Sequence, residues 1–281
     1  MGKLATYAKF VTVEHTLFAL PLILSGAWLA ADGAPPLKTV ILILLAGTGG
    51  RTAAFGLNRI IDREIDRRNP RTAGRELPAG RMSLFEAWLV TLAGIVLYLI
   101  SAALICRFVL QWSWLPLLLF AGYPYLKRFT ALAHYGIGLA DAVAPVGGYL
   151  AVRCSFDDFT PALLLGLFTL FWVGGFDIIY AVMDVKFDRE AGLHSLPAQY
   201  GEDIVPWMVA VNYGAAWFGL ALLYILKFQG NVAAAVALLA VLGVLLAGIV
   251  RWHDVQFAFF KLNAVLGTLV FLYVLIGIYW R

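Results

Sequence analysis

The chain has 281 residues, of which 62% are hydrophobic and only 14% charged, with a net charge of +4 and a mean hydropathy of +0.84. Soluble domains carry roughly 25% charged residues, so the composition excludes a soluble domain and defines an integral membrane protein. The first apolar stretch is too long, and too weakly flanked by charge, for a cleaved leader; it reads as a retained first span.

Nine transmembrane helices are expected, at about 11–31, 38–60, 84–105, 112–127, 131–152, 160–183, 204–226, 231–250 and 256–279. A helix of about 20 apolar residues crosses a ~30 Å hydrocarbon core. Asp32-Gly33-Ala34-Pro35-Pro36 ends the first span, Pro124 lies near the end of the fourth, and Gln229-Gly230-Asn231 joins the seventh to the eighth. With a cytoplasmic N-terminus, fifteen of the 21 Lys and Arg fall on the inner side and five on the outer, with Arg51 inside a span. That bias orients the chain as a multi-pass protein of the inner (plasma) membrane, its two long loops at about 61–83 and 184–203 on the cytoplasmic side. Cys106 and Cys154 fall near the outer ends of two spans. A disulfide between them is possible, but free apolar thiols are the expected state.

At the start of the first long loop, Asn58, Asp62 and Asp66 are four residues apart. On a helix they share one face and rise ~6 Å per step, with Ile60, Ile61 and Ile65 on the opposite phase. Two carboxylates and an amide make a hard-oxygen column suited to Mg²⁺. By itself the column also fits a solvated helix end, with Arg59, Arg63 and Arg67 pairing with the acids. The pattern recurs, however: Asp184 and Asp188, each copy followed by Arg, open the second long loop, and Asp177 lies one further two-turn step back on the same face. Leu-Pro-Ala follows both columns, at 77–79 and 196–198. Motifs at 58–80 and 177–201, four spans apart on one side, describe a parallel pseudo-repeat within a single domain, 1–281.

Carboxylates facing across a cavity repel, at about 4 kcal/mol per pair for a ~4 Å separation at moderate dielectric. Mg²⁺ between them removes that cost and favours a polyanion, for which a diphosphate is the natural choice. Arg59, Arg71, Arg75, Lys127 and Arg128 flank the columns and suit phosphoryl oxygens, although positive-inside bias accounts for many of these charges. Glu14, His15, Arg51, Asp141 and Asp177 fall within spans. A charge facing lipid costs about 2.5–3.5 kcal/mol at mid-span, so they are expected to face the interior. A structural ion pair, such as Glu14 with Arg51, is an alternative to a functional role.

Asn58-x3-Asp62-x3-Asp66, then Arg71-Thr-Ala-Gly-Arg75-Glu-Leu-Pro-Ala-Gly80, Tyr123-Pro-Tyr-Leu-Lys127-Arg128 and Asp177-x2-Tyr180-Ala-x2-Asp184-x3-Asp188 closely resemble the motifs of the UbiA superfamily of intramembrane aromatic prenyltransferases. The resemblance extends from the first span to at least Gly201 and includes the helix count. It implies nine helices around a central cavity, capped on the cytoplasmic side by loops 2–3 and 6–7. It implies Mg²⁺-dependent transfer of a polyprenyl group from its diphosphate to an aromatic acceptor, with the site opening to the cytoplasm. By that resemblance Asn58, Asp62, Asp66, Asp184 and Asp188 form the metal–diphosphate site. Arg59, Arg71, Arg75, Tyr123, Lys127, Arg128 and Tyr180 contact the diphosphate, and Asp177 acts on the cation or acceptor side.

The first span departs from the Arg-x-x-x-Pro-x-Gly-like stretch common in hydroxybenzoate enzymes and reads Val13-Glu14-His15-Thr16-Leu17-Phe18-Ala19-Leu20-Pro21. It resembles the branch acting on hydroxybenzoate or, in the futalosine route to menaquinone, on dihydroxynaphthoate. Arg51 or His15 is the candidate partner of the acceptor carboxylate. The same fold with haem, chlorophyllide or an ether lipid as acceptor is one rival. A cation-coupled transporter is the other, disfavoured because the acids lie at one face and not at the midplane. Neither nucleic acid nor a protein partner is expected.

Overall fold

The computed structural model describes residues 2–280, apart from the side chains of residues 4, 13–19 and 259–260. Among the described residues the chain is helical throughout, with no strand. The elements are α1 Lys3–Phe10, α2 Val13–Ala31, α3 Leu37–Ile61, α4 Arg63–Arg68, α5 Leu84–Ile105, α6 Arg107–Trp112, α7 Trp114–Leu126 and α8 Ala133–Arg153. They continue with α9 Thr160–Ala181, α10 Val185–Ala191, α11 Leu196–Tyr200, α12 Val205–Leu223, α13 Val232–Val250 and α14 Leu262–Tyr279. Helix occupies every stretch expected to span. Seven helices, among the described residues, are long and apolar enough to cross a membrane; the described apolar part of α2, Leu20–Ala31, and the 13-residue α7 are shorter.

The exterior is apolar because lipid is its solvent. Leu89, Leu92, Val96 and Ile100 of α5 point outward, as do Val236, Leu239 and Leu246 of α13. Inside, polar side chains close on their own helix. The hydroxyls of Ser25, Thr91 and Thr169 donate to the carbonyls of Pro21, Ala87 and Leu165, four residues back, at 2.8, 2.7 and 2.9 Å.

Helices α8, α9, α12, α13, α14 and α2 pack in succession, and α2 returns to α8. Their shared core holds Tyr149, Phe168, Leu220, Val270 and Tyr273, each essentially inaccessible. On the other side of α2 and α8 stand α3 and α7, with α5 laid against the outside of α3. The α2–α8 crossing is backbone on backbone. A Cβ at Gly26 would fall 1.9 Å from the Pro145 carbonyl oxygen, and one at Gly148 1.9 Å from that of Ile23, so only glycine fits both positions.

One expectation changes. Cys106 and Cys154 are joined as a disulfide, not free: the ends of α5 and α8 bring their Cα atoms to 6.4 Å, within bridging range, at the end remote from the acidic loops. The two Leu-Pro-Ala segments also differ. The first lies in a run of turns, whereas the second opens α11, where Ser195 caps the helix and proline occupies the first turn, a position that needs no N–H donor.

Candidate active site

A cavity of about 670 Å³ lies among α2, α3, α5, α7, α8 and α9. One end is apolar, walled by Ile43, Gly47, Tyr98, Ile105, Phe120 and Ala151. Its other end is headed by the polar residues of both acidic segments.

The first column holds its helical geometry through a change of element. Helix α3 ends at Asp62, yet the Asp62 and Asp66 amides still donate to the carbonyls of Asn58 and Asp62, at 2.9 and 2.8 Å, as α4 takes over. The second segment does not run straight: a 3₁₀ turn at Val182–Asp184 separates α9 from α10. Even so, Asp177, Asp184 and Asp188 line the same cavity as Asn58, Asp62 and Asp66.

The four acids do not face one another bare. Lys127 Nζ lies 2.6 Å from Asp62 Oδ2, and Arg128 Nη2 lies 3.4 Å from Oδ1 and 2.9 Å from the Ile61 carbonyl. Asn58 Nδ2 donates to Asp62 at 3.2 Å. Arg75 Nη1 reaches both oxygens of Asp66, at 2.7 and 2.8 Å. Arg71 grips Asp184 with Nε, at 2.8 Å, and with Nη2; its Nη1 donates to the Tyr180 hydroxyl at 2.5 Å, and the guanidinium lies over that ring. Asn69 Nδ2 also donates to Asp184, at 2.8 Å, and Ser195 Oγ to Asp188, at 3.0 Å. Among the described residues, no three His, Cys, Asp or Glu gather closely enough to hold a metal. Asp62, Asp66 and Asp184 are each paired with a cation of the chain itself, which offsets the cost of burying a carboxylate.

The electrostatics follow from this packing. Burial pushes the Asp62 carboxyl above its ordinary 3.8, against the opposing pull of Lys127. For Arg71, burial is the largest single influence and alone would loosen the proton; the hydrogen bonds and charge of Asp184 and Tyr180 together outweigh it and raise the guanidinium. Glu64, not the column, collects the solvated arginines: Arg63 and Arg67 lie 2.7 and 3.9 Å from it.

Within the spans, Arg51, Asp141 and Asp177 face the cavity. Arg51 lies over the Phe55 ring, and its Nη1 is 3.5 Å from Asp141, so Asp141 is the ion-pair partner seen for Arg51. The side chains of Glu14 and His15 lie outside the described residues, and with them the proposed pairing of Glu14 and the acceptor role of His15. Three arginines keep buried N–H donors without a partner among the described residues: Arg51 Nε, Arg59 Nε and Nη1, and Arg128 Nε. Arg59 spends only Nη2, on Thr12 Oγ1 at 3.1 Å. Tyr123, Lys127 and Tyr180 also line the cavity.

Sequence reasoning missed Asn69, Ser195 and His134, which hold Asp184, Asp188 and Asp177 respectively. Asn69 and Ser195 lie beside the motifs but outside their spacing, and His134 is a lone histidine at the start of an apolar helix, without any pattern to single it out.

An all-helical membrane protein with an apolar cavity, headed by acids and by arginines with donors to spare, is built to hold an amphiphile by an anionic head. The sequence matches the UbiA prenyltransferase family over residues 19–263, and the chain belongs to that family. It is 32% identical over 222 residues to the 4-hydroxybenzoate octaprenyltransferase of Aromatoleum aromaticum, covering 76% of this chain and 74% of that one. It is 30% identical over 245 residues to the enzyme of the same name from Ralstonia nicotianae, covering 84% and 83%. The fold superposes on the apo structure of a UbiA homolog from Aeropyrum pernix K1 with a TM-score of 0.85 and 32% identity, over 94% of this chain and 98% of that one. It also matches a UbiA homolog from Archaeoglobus fulgidus bound to GPP and Mg²⁺, with a TM-score of 0.73 and 19% identity, over 97% and 98%; at that identity the likeness speaks for the fold alone.

Proposed function

We propose that the protein transfers a polyprenyl group from its diphosphate to an aromatic hydroxy acid, 4-hydroxybenzoate or dihydroxynaphthoate, in quinone biosynthesis. Mg²⁺ is the cofactor, and the site opens to the cytoplasmic side of the inner membrane, under nine spanning helices. The observation that carries this reading is the pair of arginines that line the cavity beside a double set of acids, Arg51 and Arg59, with buried donors that have no partner among the described residues. Donors left over in a buried site fit anionic groups supplied by a ligand. The names of the curated relatives support the donor and acceptor classes.

The residues present fit the metal. Asp62, Asp66, Asp184 and Asp188 with Asn58 provide hard oxygen donors on two sides of one cavity. When bound, Mg²⁺ neutralises charge developing on the departing diphosphate. Asp62, Asp66 and Asp184, which pair with Lys127, Arg128, Arg75 and Arg71, would hold the metal together with Asp188 and Asn58, and those four cations would contact phosphoryl oxygens. Arg59 joins them with donors already free, and the Tyr123 and Tyr180 hydroxyls donate to the leaving group. Below, the apolar wall keeps water from the allylic cation. Arg51 receives the acceptor carboxylate, which orients the ring carbon beside the phenol toward that cation. Asp177 stands at the reacting end, where its carboxylate stabilises positive charge and takes the proton that the ring loses.

Membranes containing the protein, supplied with Mg²⁺, a polyprenyl diphosphate and each acid in turn, test the proposal by mass spectrometry of the products. Prenylation of one or both acids is expected; turnover of neither would overturn the aromatic-acid assignment.

A further inference from the structure

His134 opens α8 and is buried, with 3% of its surface exposed. Its Nδ1 lies 2.7 Å from Asp177 Oδ2 on α9. Its Nε2 lies 3.1 Å from the backbone nitrogen of Leu196, the first residue of α11 in the second cytoplasmic loop. An amide N–H only donates, so Nε2 is the acceptor and carries no proton. The ring proton is therefore on Nδ1 and points at the Asp177 carboxylate. Both nitrogens are committed, so the imidazole is not free to take a proton from a substrate.

The loop segment around Leu196 is joined to the rest of the site at three consecutive residues. The His194 amide donates to the Lys127 carbonyl at 2.7 Å, Ser195 Oγ donates to Asp188, and the Leu196 amide donates to His134. The seating of one short segment thus touches the residue that follows α7, an acid of the second column and, through His134, the carboxylate at the proposed reacting end.

We infer that His134 is a positioning residue that couples the seating of the 194–196 segment to the orientation of the Asp177 carboxylate. With the segment seated, Leu196 fixes the tautomer and tilt of the ring, and the ring fixes Asp177. With it lifted, His134 loses the bond that selects Nδ1–H, and Asp177 loses its fixed rotamer. The inference rests on the reading of Asp177 given under Proposed function.

Two substitutions test the contacts. Gln offers one donor and one acceptor on a planar group, as the neutral imidazole does; Ala offers neither. His134→Gln is expected to keep most of kcat and slow hydrogen exchange at the Leu196 amide. His134→Ala is expected to speed exchange at Leu196 and to lower kcat about tenfold or more, with KM for the prenyl diphosphate unchanged. Wild-type kcat in His134→Ala would overturn the coupling to Asp177, and unchanged exchange at Leu196 in that variant would overturn the hold on the loop. If the wild-type protein transfers no prenyl group, the reaction assignment fails, while the exchange measurement still decides whether His134 seats the segment.

Discussion

Lys127 Nζ stands 2.6 Å from Asp62 Oδ2, tying the end of α7 to the end of α3 at a carboxyl group that is almost wholly buried. Folding raises the Asp62 carboxyl above its ordinary 3.8 through burial, and Lys127 limits the rise. A carboxyl raised on folding contributes its full stability below the ordinary value and loses it as pH rises through the folded value. Lys127→Met removes the opposing cation, so the loss grows deeper and shifts to higher pH. Unfolding temperatures measured from about pH 4 to 8 should show the gap between wild type and variant widening as pH rises. A gap independent of pH would show that Lys127 does not oppose the burial of Asp62.

Arg51, which lines the cavity, has a long contact to Asp141, at 3.5 Å, and a buried Nε without a partner among the described residues. If this donor receives the acceptor carboxylate, Arg51→Ala raises KM for the aromatic acid about tenfold or more, the value of a charged hydrogen bond. It leaves KM for the prenyl diphosphate unchanged. Steady-state kinetics with each substrate varied separately measure this. An equal rise in both constants would place Arg51 outside the acceptor subsite.

The Cys106–Cys154 disulfide closes a separation of 48 residues. Cross-linking a loop of that length stabilises by about 4 kcal/mol on the chain-entropy relation. Cys106→Ser should lower the unfolding temperature in detergent while leaving prenyl transfer at low temperature intact. Added reductant should lower the wild-type unfolding temperature and leave that of the variant unchanged. Identical melting of wild type and variant in oxidising buffer would show that the bridge is absent or idle.

The α2–α8 crossing makes a prediction about packing alone. A Cβ at Gly148 meets a backbone carbonyl, and no side-chain rotation relieves that contact. Gly148→Leu should cost about 3 kcal/mol or more, at or above the upper end of overpacking penalties. The loss of monodisperse protein in size-exclusion chromatography after heating measures it. A variant as heat-stable as wild type would mean that the helices separate freely there.

The spans were legible because lipid imposes a length and a hydropathy on each helix, and the breakers at 32–36 and 229–231 lie where helices end. Asn58, Asp62 and Asp66 were legible because a four-residue step survives the handover from α3 to α4. The fate of the acids was not. Which cation each acid takes depends on how α7 and the loops fold over the cavity, so the pairs Lys127–Asp62, Arg75–Asp66 and Arg71–Asp184 are tertiary facts. The disulfide was misread for a similar reason: proximity of the α5 and α8 ends is set by packing and leaves no trace in the spacing. His134 was missed because its partners, Asp177 and Leu196, are 43 and 62 residues away in the chain.

The central claim is that the two acidic segments act as one diphosphate-binding, metal-dependent site. Prenyl transfer from a polyprenyl diphosphate in the presence of Mg²⁺, assayed for wild type, Asp62→Ala and Asp184→Ala in parallel, tests it most directly. Folding of each variant is checked by size-exclusion chromatography. Loss of transfer in both folded variants is the predicted result. Transfer retained in both would contradict it.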